Sequence, residues 1–371
     1  MVTPAAFYAK LEENGITFFS GVPDSLLKDI CAYITDTLPA ERHIIAANEG
    51  GAVGLAAGHY LATGKPALVY MQNSGQGNTI NPLLSLMDPD VYSIPVLLLI
   101  GWRGEPGDKD EPQHVKQGKV TLSLLECLGI PCEVLPEDET AALAAVDRAA
   151  AWMREHKAPY AIVIRKKVFA PYSLRKKTKT DYPFDREGAL KLCTAALDAS
   201  DMVVSTTGKT SRELFEYREE QGQGHGNDFL TVGGMGHASQ IALGMALAAP
   251  GRQVFCFDGD GAVLMHMGAL AIGGNAGAAN FKHVLFNNGA HDSVGGQPTV
   301  GFSVDFGKIA TACGYRFVLK ATTAAEISAG MATLRREAGP GLLEIAVNKG
   351  GRDNLGRPTT TPIENKESIM R

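Results

Sequence analysis

Short apolar runs recur along the first half of the chain at Thr17–Ser20, His43–Ala46, Ala67–Met71, Val96–Ile100 and Tyr160–Ile164. Each is bounded by turn residues, and each predicts a strand buried on both faces. Between them the apolar spacing becomes helical, at Ser25–Thr37, Glu49–Ala62, Thr121–Leu128 and Leu143–Glu155. Pro4 to Asn14 predicts a first helix with Phe7, Tyr8 and Leu11 on one side, stopped at Asn14-Gly15. The second half repeats the alternation with different residues. Strands are expected at Met202–Ser205, Val254–Phe257, His283–Phe286 and Leu342–Val347, and helices at Ser211–Arg218, Ala238–Ala249 and Ala324–Glu337. Buried strands joined by helices predict an α/β fold of two doubly wound parallel-sheet domains.

Length agrees, because 371 residues exceed the usual size of one domain. The boundary falls in a basic stretch. Residues 165–186 carry eight Lys or Arg with little periodicity, read as a solvated linker rather than a phosphate or nucleic-acid patch. The expected domains are 1–170 and 187–371, with 171–186 between them. A net charge of −5 argues against a general nucleic-acid binder. Six cysteines without CxxC spacing read as reduced residues of a cytoplasmic chain. The longest apolar run, Ile94–Ile100, is too short to span a bilayer, and Met1–Glu13 lacks the signature of a signal peptide.

Candidate chemistry gathers where strands end. Val254–Phe257 empties into Asp258-Gly259-Asp260-Gly261-Ala262, and Val284–Phe286 into Asn287-Asn288-Gly289. Loops at the carboxyl ends of parallel strands are where open α/β sheets bind ligands. Asp260 and Asn288 both offer the hard oxygens that Mg²⁺ prefers, and the flanking glycines admit a phosphate close to the backbone. Glu49 opens a helix after a strand, in Asn48-Glu49-Gly50-Gly51, where it could equally be a favourable first-turn charge. Thr207-Gly208-Lys209-Thr210-Ser211-Arg212 is a strand-to-helix turn suited to an anion. It lacks the upstream glycine of a P-loop, so a nucleotide-binding module is the weaker rival. Gly101 to His114 is a long polar loop supplying Arg103, Lys109 and His114, residues able to grip a dianion and move a proton. Asp24, in Gly21-Val22-Pro23-Asp24, is either its counterpart or a helix cap.

GDG followed about two dozen residues later by NN resembles the diphosphate and metal signature of thiamine diphosphate enzymes. Gly233-Gly234-Met235 and Asn73-Ser74-Gly75-Gln76-Gly77 extend the resemblance, which covers essentially the whole chain. Within that family it is closest to short two-domain decarboxylases of 2-oxo acids. The resemblance implies thiamine diphosphate and Mg²⁺ as cofactors, the metal held by Asp260, Asn288 and the Ala290 carbonyl. It implies cofactor contacts from Gly208, Lys209, Thr210, Gly233, Met235, Asp260, Gly261, Ala262, Asn288 and Ser293. Glu49 would hydrogen-bond the aminopyrimidine, and His114, Asp24 or His291 would supply a proton. Arg103, Lys109 and Arg212 would bind an anionic substrate, 3-phosphonopyruvate, with sulfopyruvate or another 2-oxo acid as the alternative. Two departures stand out: Gln113 replaces one of a pair of histidines, and Val294 replaces an acidic residue. The expected assembly is a homodimer or larger homo-oligomer with active sites between subunits, binding neither nucleic acid nor membrane.

Overall fold

A computed structural model describes residues 1–176 and 179–371. Lys177 and Thr178, inside the basic stretch, lie outside the described residues. The chain forms two compact units, Met1–Lys177 with Val294–Gln297, and Thr178–Ser293 with Pro298–Arg371.

The first unit carries β1 (Phe19–Gly21), β2 (His43–Ile45), β3 (Ala67–Gln72), β4 (Val96–Gly101), β5 (Cys132–Val134) and β6 (Tyr160–Ile164). They form one parallel sheet in the order β2-β1-β3-β4-β6-β5. The second unit carries β7 (Met202–Ser205), β8 (Asp228–Leu230), β9 (Val254–Gly259), β10 (Phe281–Asn287), β11 (Phe317–Ala321) and β12 (Gly341–Ala346). Its sheet runs β11-β12-β10-β9-β7-β8, again parallel throughout. Numbered within its own unit, each sheet reads 2-1-3-4-6-5. The family of folds is therefore the one expected, and both halves repeat one topology.

The apolar runs form strands because both sheet faces are buried. Leu97 and Leu99 of β4 enter one core while Val96, Leu98 and Ile100 enter the other. In β9, Phe255 and Phe257 point into one core while Val254 and Cys256 point into the opposite one. Side chains alternate across a strand, so a sheet covered on both faces needs apolar residues at every position.

Three differences from the sequence expectation have physical causes. β5 and β8 lack an apolar run and β11 carries one of only three residues, Phe317–Leu319; all three are edge strands, and an edge strand buries less of each residue. The helix expected at Thr121–Leu128 begins at Pro112, which fits the first helical turn because its missing N–H is not needed there. His114 is thus helical, not the end of a loop. Finally, Arg186, counted with the basic stretch, opens helix Arg186–Ala195 and is buried in a fork with Glu213 at 2.8 and 2.6 Å. Elsewhere in that stretch the amides of Tyr172, Arg175 and Lys176 donate to Asp29 and Asp36. Among the described residues no helix is long and apolar enough to cross a membrane.

The C-terminal helix Pro362–Ile369 guards the edge at β8. Asn365 is buried, accepts from the Leu230 N–H at 3.0 Å and donates to the Asp228 carbonyl at 2.8 Å. Asn365→Ala leaves both edge groups without that partner. It should cost about 1–3 kcal/mol, read from the midpoint of urea unfolding at an unchanged slope.

Candidate active site

Each 2-1-3-4-6-5 sheet has a switch point, where the first strand's connections leave to opposite sides. In the first unit it lies between β1 and β3, in the second between β7 and β9. Ligands of open α/β sheets bind in the crevice outside the carboxyl ends there. Asp24 falls at the first, and Gly208, Lys209, Thr210 and Asp260 at the second; Glu49 follows β2, Arg103, Lys109 and His114 follow β4, Gly233 and Met235 follow β8, and Asn288 follows β10.

In the first unit, Asp24 follows β1 and is fully buried. Its Oδ2 accepts the N–H groups of Leu26 at 2.7 Å and Leu27 at 3.3 Å, while Oδ1 has no hydrogen-bond partner. Burial pushes its carboxyl up to about 6, against the pull of those amides and of Arg103. Asp24 therefore caps the following turn and also holds a carboxyl that exchanges its proton near neutrality. Gly101 leaves room for it, since a Cβ there would strike the Asp24 carboxylate.

After β3 the chain enters the turn Asn73–Gly75 and the helix Gln76–Pro82. This segment joins two groups of residues. At one end Glu49, 5% exposed, accepts from Asn78 Nδ2 at 2.7 Å and lies against Gly75, where a Cβ would collide with its carboxyl. Its helix is capped by Asn48, whose side chain accepts from the Gly50 N–H at 2.8 Å. Glu49 is thus clamped at the mouth of the sheet by a neighbouring loop. At the other end Asn73 donates to the Arg103 carbonyl and to Thr121 Oγ1, both at 2.8 Å. Gln72 Nε2 stands 3.4 Å from His114 Nε2.

The sequence did not single out Asp110, which organises this second group. Its carboxylate takes the Arg103 fork at 2.9 and 2.5 Å, the Gly104 N–H at 2.9 Å and His114 Nδ1 at 3.0 Å. Burial opposes its ionisation, but the bonds from Arg103 and His114 hold it well below the usual carboxylate range. It therefore stays charged and fixes the His114 ring, directing Nε2 toward Gln72. Burial lowers the His114 imidazole, and Asp110 partly restores it. Arg103 also donates to Ser25 Oγ at 2.9 Å. Lys109 is exposed on the same loop, its carbonyl accepting from Lys166 Nζ at 3.2 Å. The i, i+4 spacing of Asp110 and His114 was the available signal.

In the second unit, β9 and β10 deliver Asp260 and Asn288 to adjoining ends. Phe286 pairs with Gly259, so both residues lie just beyond the paired ladder. The Asn288 N–H donates to Asp260 Oδ1 at 3.4 Å, and Asn288 Oδ1 accepts the Ala290 N–H at 3.0 Å. Thr299, also not foreseen, donates its hydroxyl to Asp260 Oδ2. Asp260 is 2% exposed, and burial pushes its carboxyl up to about 6 against the pull of these bonds. Such a buried carboxylate is costly unless a cation accompanies it. Asn287 is tied to the Gly301 carbonyl and Glu344, which holds the NN turn in place.

The anion turn follows β7. Gly208 precedes helix Lys209–Glu220 with φ +96°, which a side chain would strain, and Ser293 Oγ is the nearest neighbour of a Cβ there. Thr210 is buried in the first turn, and Arg212 is half-buried on the same helix. Lys209 Nζ lies 3.5 Å from Asp292, which also meets Arg186 at 3.5 Å. Met235 Cε and the His291 ring both stand about 3.4 Å from the space beside Gly261, and Ala262 is buried next to it. Gly233 is half-buried just before this loop. His291 is itself buried, and burial drives its imidazole down to about 4, so it is neutral at neutral pH.

Comparison with known proteins bears directly on these two groups. Residues 1–123 match the thiamine pyrophosphate enzyme N-terminal TPP binding domain, and residues 206–345 match the corresponding C-terminal TPP binding domain. A phosphonopyruvate decarboxylase of Streptomyces viridochromogenes is 38% identical over 98% of this chain and 93% of its own length. One from Streptomyces hygroscopicus is 34% identical over 98% and 92%. A sulfopyruvate decarboxylase of Methanosarcina acetivorans is 29% identical over 84% and 82%. With both halves matched, and full-length relatives at this identity, the chain belongs to the thiamine pyrophosphate enzymes.

Proposed function

We propose that this protein decarboxylates 3-phosphonopyruvate to phosphonoacetaldehyde and CO₂, with thiamine diphosphate and Mg²⁺. The observation that carries the reading is the buried oxygen pair of Asp260 and Asn288 at the adjoining carboxyl ends of β9 and β10, with the Gly208 turn, open to phosphate, after β7. The residues suit both groups. Asp260, Asn288 and the Ala290 carbonyl supply the hard oxygens of a Mg²⁺ shell that phosphate and water complete. Gly208, Lys209, Thr210 and Ser293 would meet the diphosphate, with Gly261 and Ala262 alongside and Gly233 and Met235 against the organic part. Bound there, the cofactor supplies the electron sink that accepts the pair released as CO₂ leaves.

The chain's own side chains bind, orient and move protons. Glu49, clamped by Asn78 and Gly75, presents a carboxyl to the cofactor's aminopyrimidine. Asp24 and His114 are the candidate proton donors in the first unit. Asp24 is the more suitable acid, because burial keeps its proton on up to about pH 6. His114 acts through the orientation that Asp110 gives it. His291, neutral at working pH, donates only through a neutral N–H. Arg103 and Lys109 offer charge to the phosphonate, with Arg103 pre-aligned by Asp110, and Arg212 is the further cation of the second unit. The full-length match to two phosphonopyruvate decarboxylases favours the phosphonate over the sulfonate. Turnover compared on phosphonopyruvate, sulfopyruvate and pyruvate tests this. Preference for either of the other two overturns it. The same reading carries a cytoplasmic homodimer or larger homo-oligomer with active sites at the subunit interface, which light scattering checks.

Three variants probe the roles. Glu49→Gln keeps the Asn78 contact but loses the acid–base function, so kcat should fall about 10²–10⁴-fold. Calorimetry should still show Mg²⁺-dependent cofactor binding. Asp110→Asn weakens the hold on His114 and leaves Arg103 less neutralised. It should lower kcat about 10–100-fold while KM for the dianionic substrate stays level or falls, a split that steady-state kinetics resolves. Asp24→Asn addresses stability. The folded carboxyl titrates near 6 against about 3.9 unfolded, so its stabilising contribution is complete below about pH 4 and lost as pH rises through 6. The variant carries no such loss. Between pH 4 and pH 8 its stability should gain on wild type by up to about 2–3 kcal/mol, measured by denaturant unfolding at both pH values.

A further inference from the structure

Cys256, Asp258 and His283 meet in the core of the second unit, and nothing in the proposed reaction uses them. Cys256 and Asp258 are two apart on β9, and His283 pairs with Cys256 from β10. All three side chains therefore rise from one face of the sheet. That face is covered by Ala242, Leu243 and Ala246 of helix Ala238–Ala248 and by Phe306 and Ala310 of helix Phe306–Ala312. Each of the three is at most 1% exposed. Their ligand atoms all lie within 4.8 Å of one another. His283 Nε2 is 3.4 Å from Asp258 Oδ2, and Cys256 Sγ is 4.0 Å from the same oxygen. The Nε2 atom makes no hydrogen bond, while Nδ1 is held by the Tyr315 hydroxyl at 3.3 Å. Asp258 Oδ1 accepts the Gly259 N–H at 2.9 Å.

We propose that Cys256, Asp258 and His283 supply three donors of a binding site for one transition-metal ion, with zinc the best match. Mixed sulfur, nitrogen and oxygen donors select zinc-like ions over Mg²⁺. Zinc–ligand bonds of about 2.0–2.3 Å give tetrahedral edges of about 3.3–3.8 Å, so the His283–Asp258 spacing of 3.4 Å already fits. The Cys256–Asp258 spacing of 4.0 Å must close slightly, and Cys256 and His283, within 4.8 Å, must approach by up to about 1 Å. Charge decides between this and a bare ion pair. A divalent ion with one thiolate, one carboxylate and a neutral imidazole is electrically neutral, which suits an apolar core. Without a metal, the thiol only donates to Asp258 Oδ2 at 4.0 Å, and His283 Nε2 makes no hydrogen bond. The Tyr315 bond to Nδ1 is the outer contact that fixes the ring of a metal-bound histidine. Binding releases the thiol proton to solvent, and no other bond is made or broken.

The test uses the full-length protein stripped with a chelator and then given zinc or cobalt. The expected results are one zinc per chain by elemental analysis, a higher melting temperature with zinc, and a thiolate-to-cobalt charge-transfer band. The oxygen site at Asp260 and Asn288 cannot produce that band. Cys256→Ser should abolish it. Tyr315→Phe, which keeps the ring and the fold, should weaken zinc binding about 10–100-fold. A folded wild-type chain with only trace zinc, no charge-transfer band and no zinc-dependent melting shift overturns the proposal. So does a band that survives Cys256→Ser. If Cys256→Ser does not fold, Tyr315→Phe decides alone, and unchanged zinc affinity overturns it.

Discussion

The pairing of β9 with β10 is the constraint on which the second unit depends. Six consecutive rungs, from Phe281 with Val254 to Phe286 with Gly259, leave no freedom in where the strands end. A slip of one residue would turn every side chain to the other face. It would also carry Phe255 and Phe257 out of their core and separate Asp260 from the Asn288 N–H. Core packing and site geometry are thus enforced by one set of hydrogen bonds. The hydrophobic cores on both faces lock the register, and the register places a carboxylate where its burial calls for a cation.

The first unit meets the same requirement with loops. Glu49 and His114 arrive from different elements, and the segment from Gln72 to Asn78 touches both through Asn78, Gly75 and Gln72. Asn73 then ties that segment to the Arg103 loop. Charges in this group are satisfied in series: Asp110 balances Arg103 and also holds His114. A buried polar network of this kind is rigid only when every member is paired, and the unpartnered Asp24 Oδ1 stands out beside it.

Much of the site could be read from residue types at strand ends. Asp260, Asn288, Glu49 and the Gly208 turn each follow an apolar run, and the parallel-sheet rule places such residues in a binding crevice. Asp110 and Thr299 could not be read the same way. Both lie in polar loops without periodicity, and each acts through a partner remote in sequence or hidden by an irregular backbone. The edge strands β5, β8 and β11 were missed because partial burial relaxes the demand for apolar residues. Arg186 was misread for the opposite reason, as a solvated charge whose partner, Glu213, is 27 positions away.

The sequence by itself determined the class of fold, the two repeated halves and which polar residues stand at the principal strand ends. Local hydrophobic period and turn residues suffice for those. Tertiary structure alone decided the shared 2-1-3-4-6-5 order, the clamping of Glu49 by Gly75 and Asn78, and the gathering of Cys256, Asp258 and His283. Each depends on which strands and loops become neighbours, and long-range pairing leaves no mark in the spacing of residues along one strand.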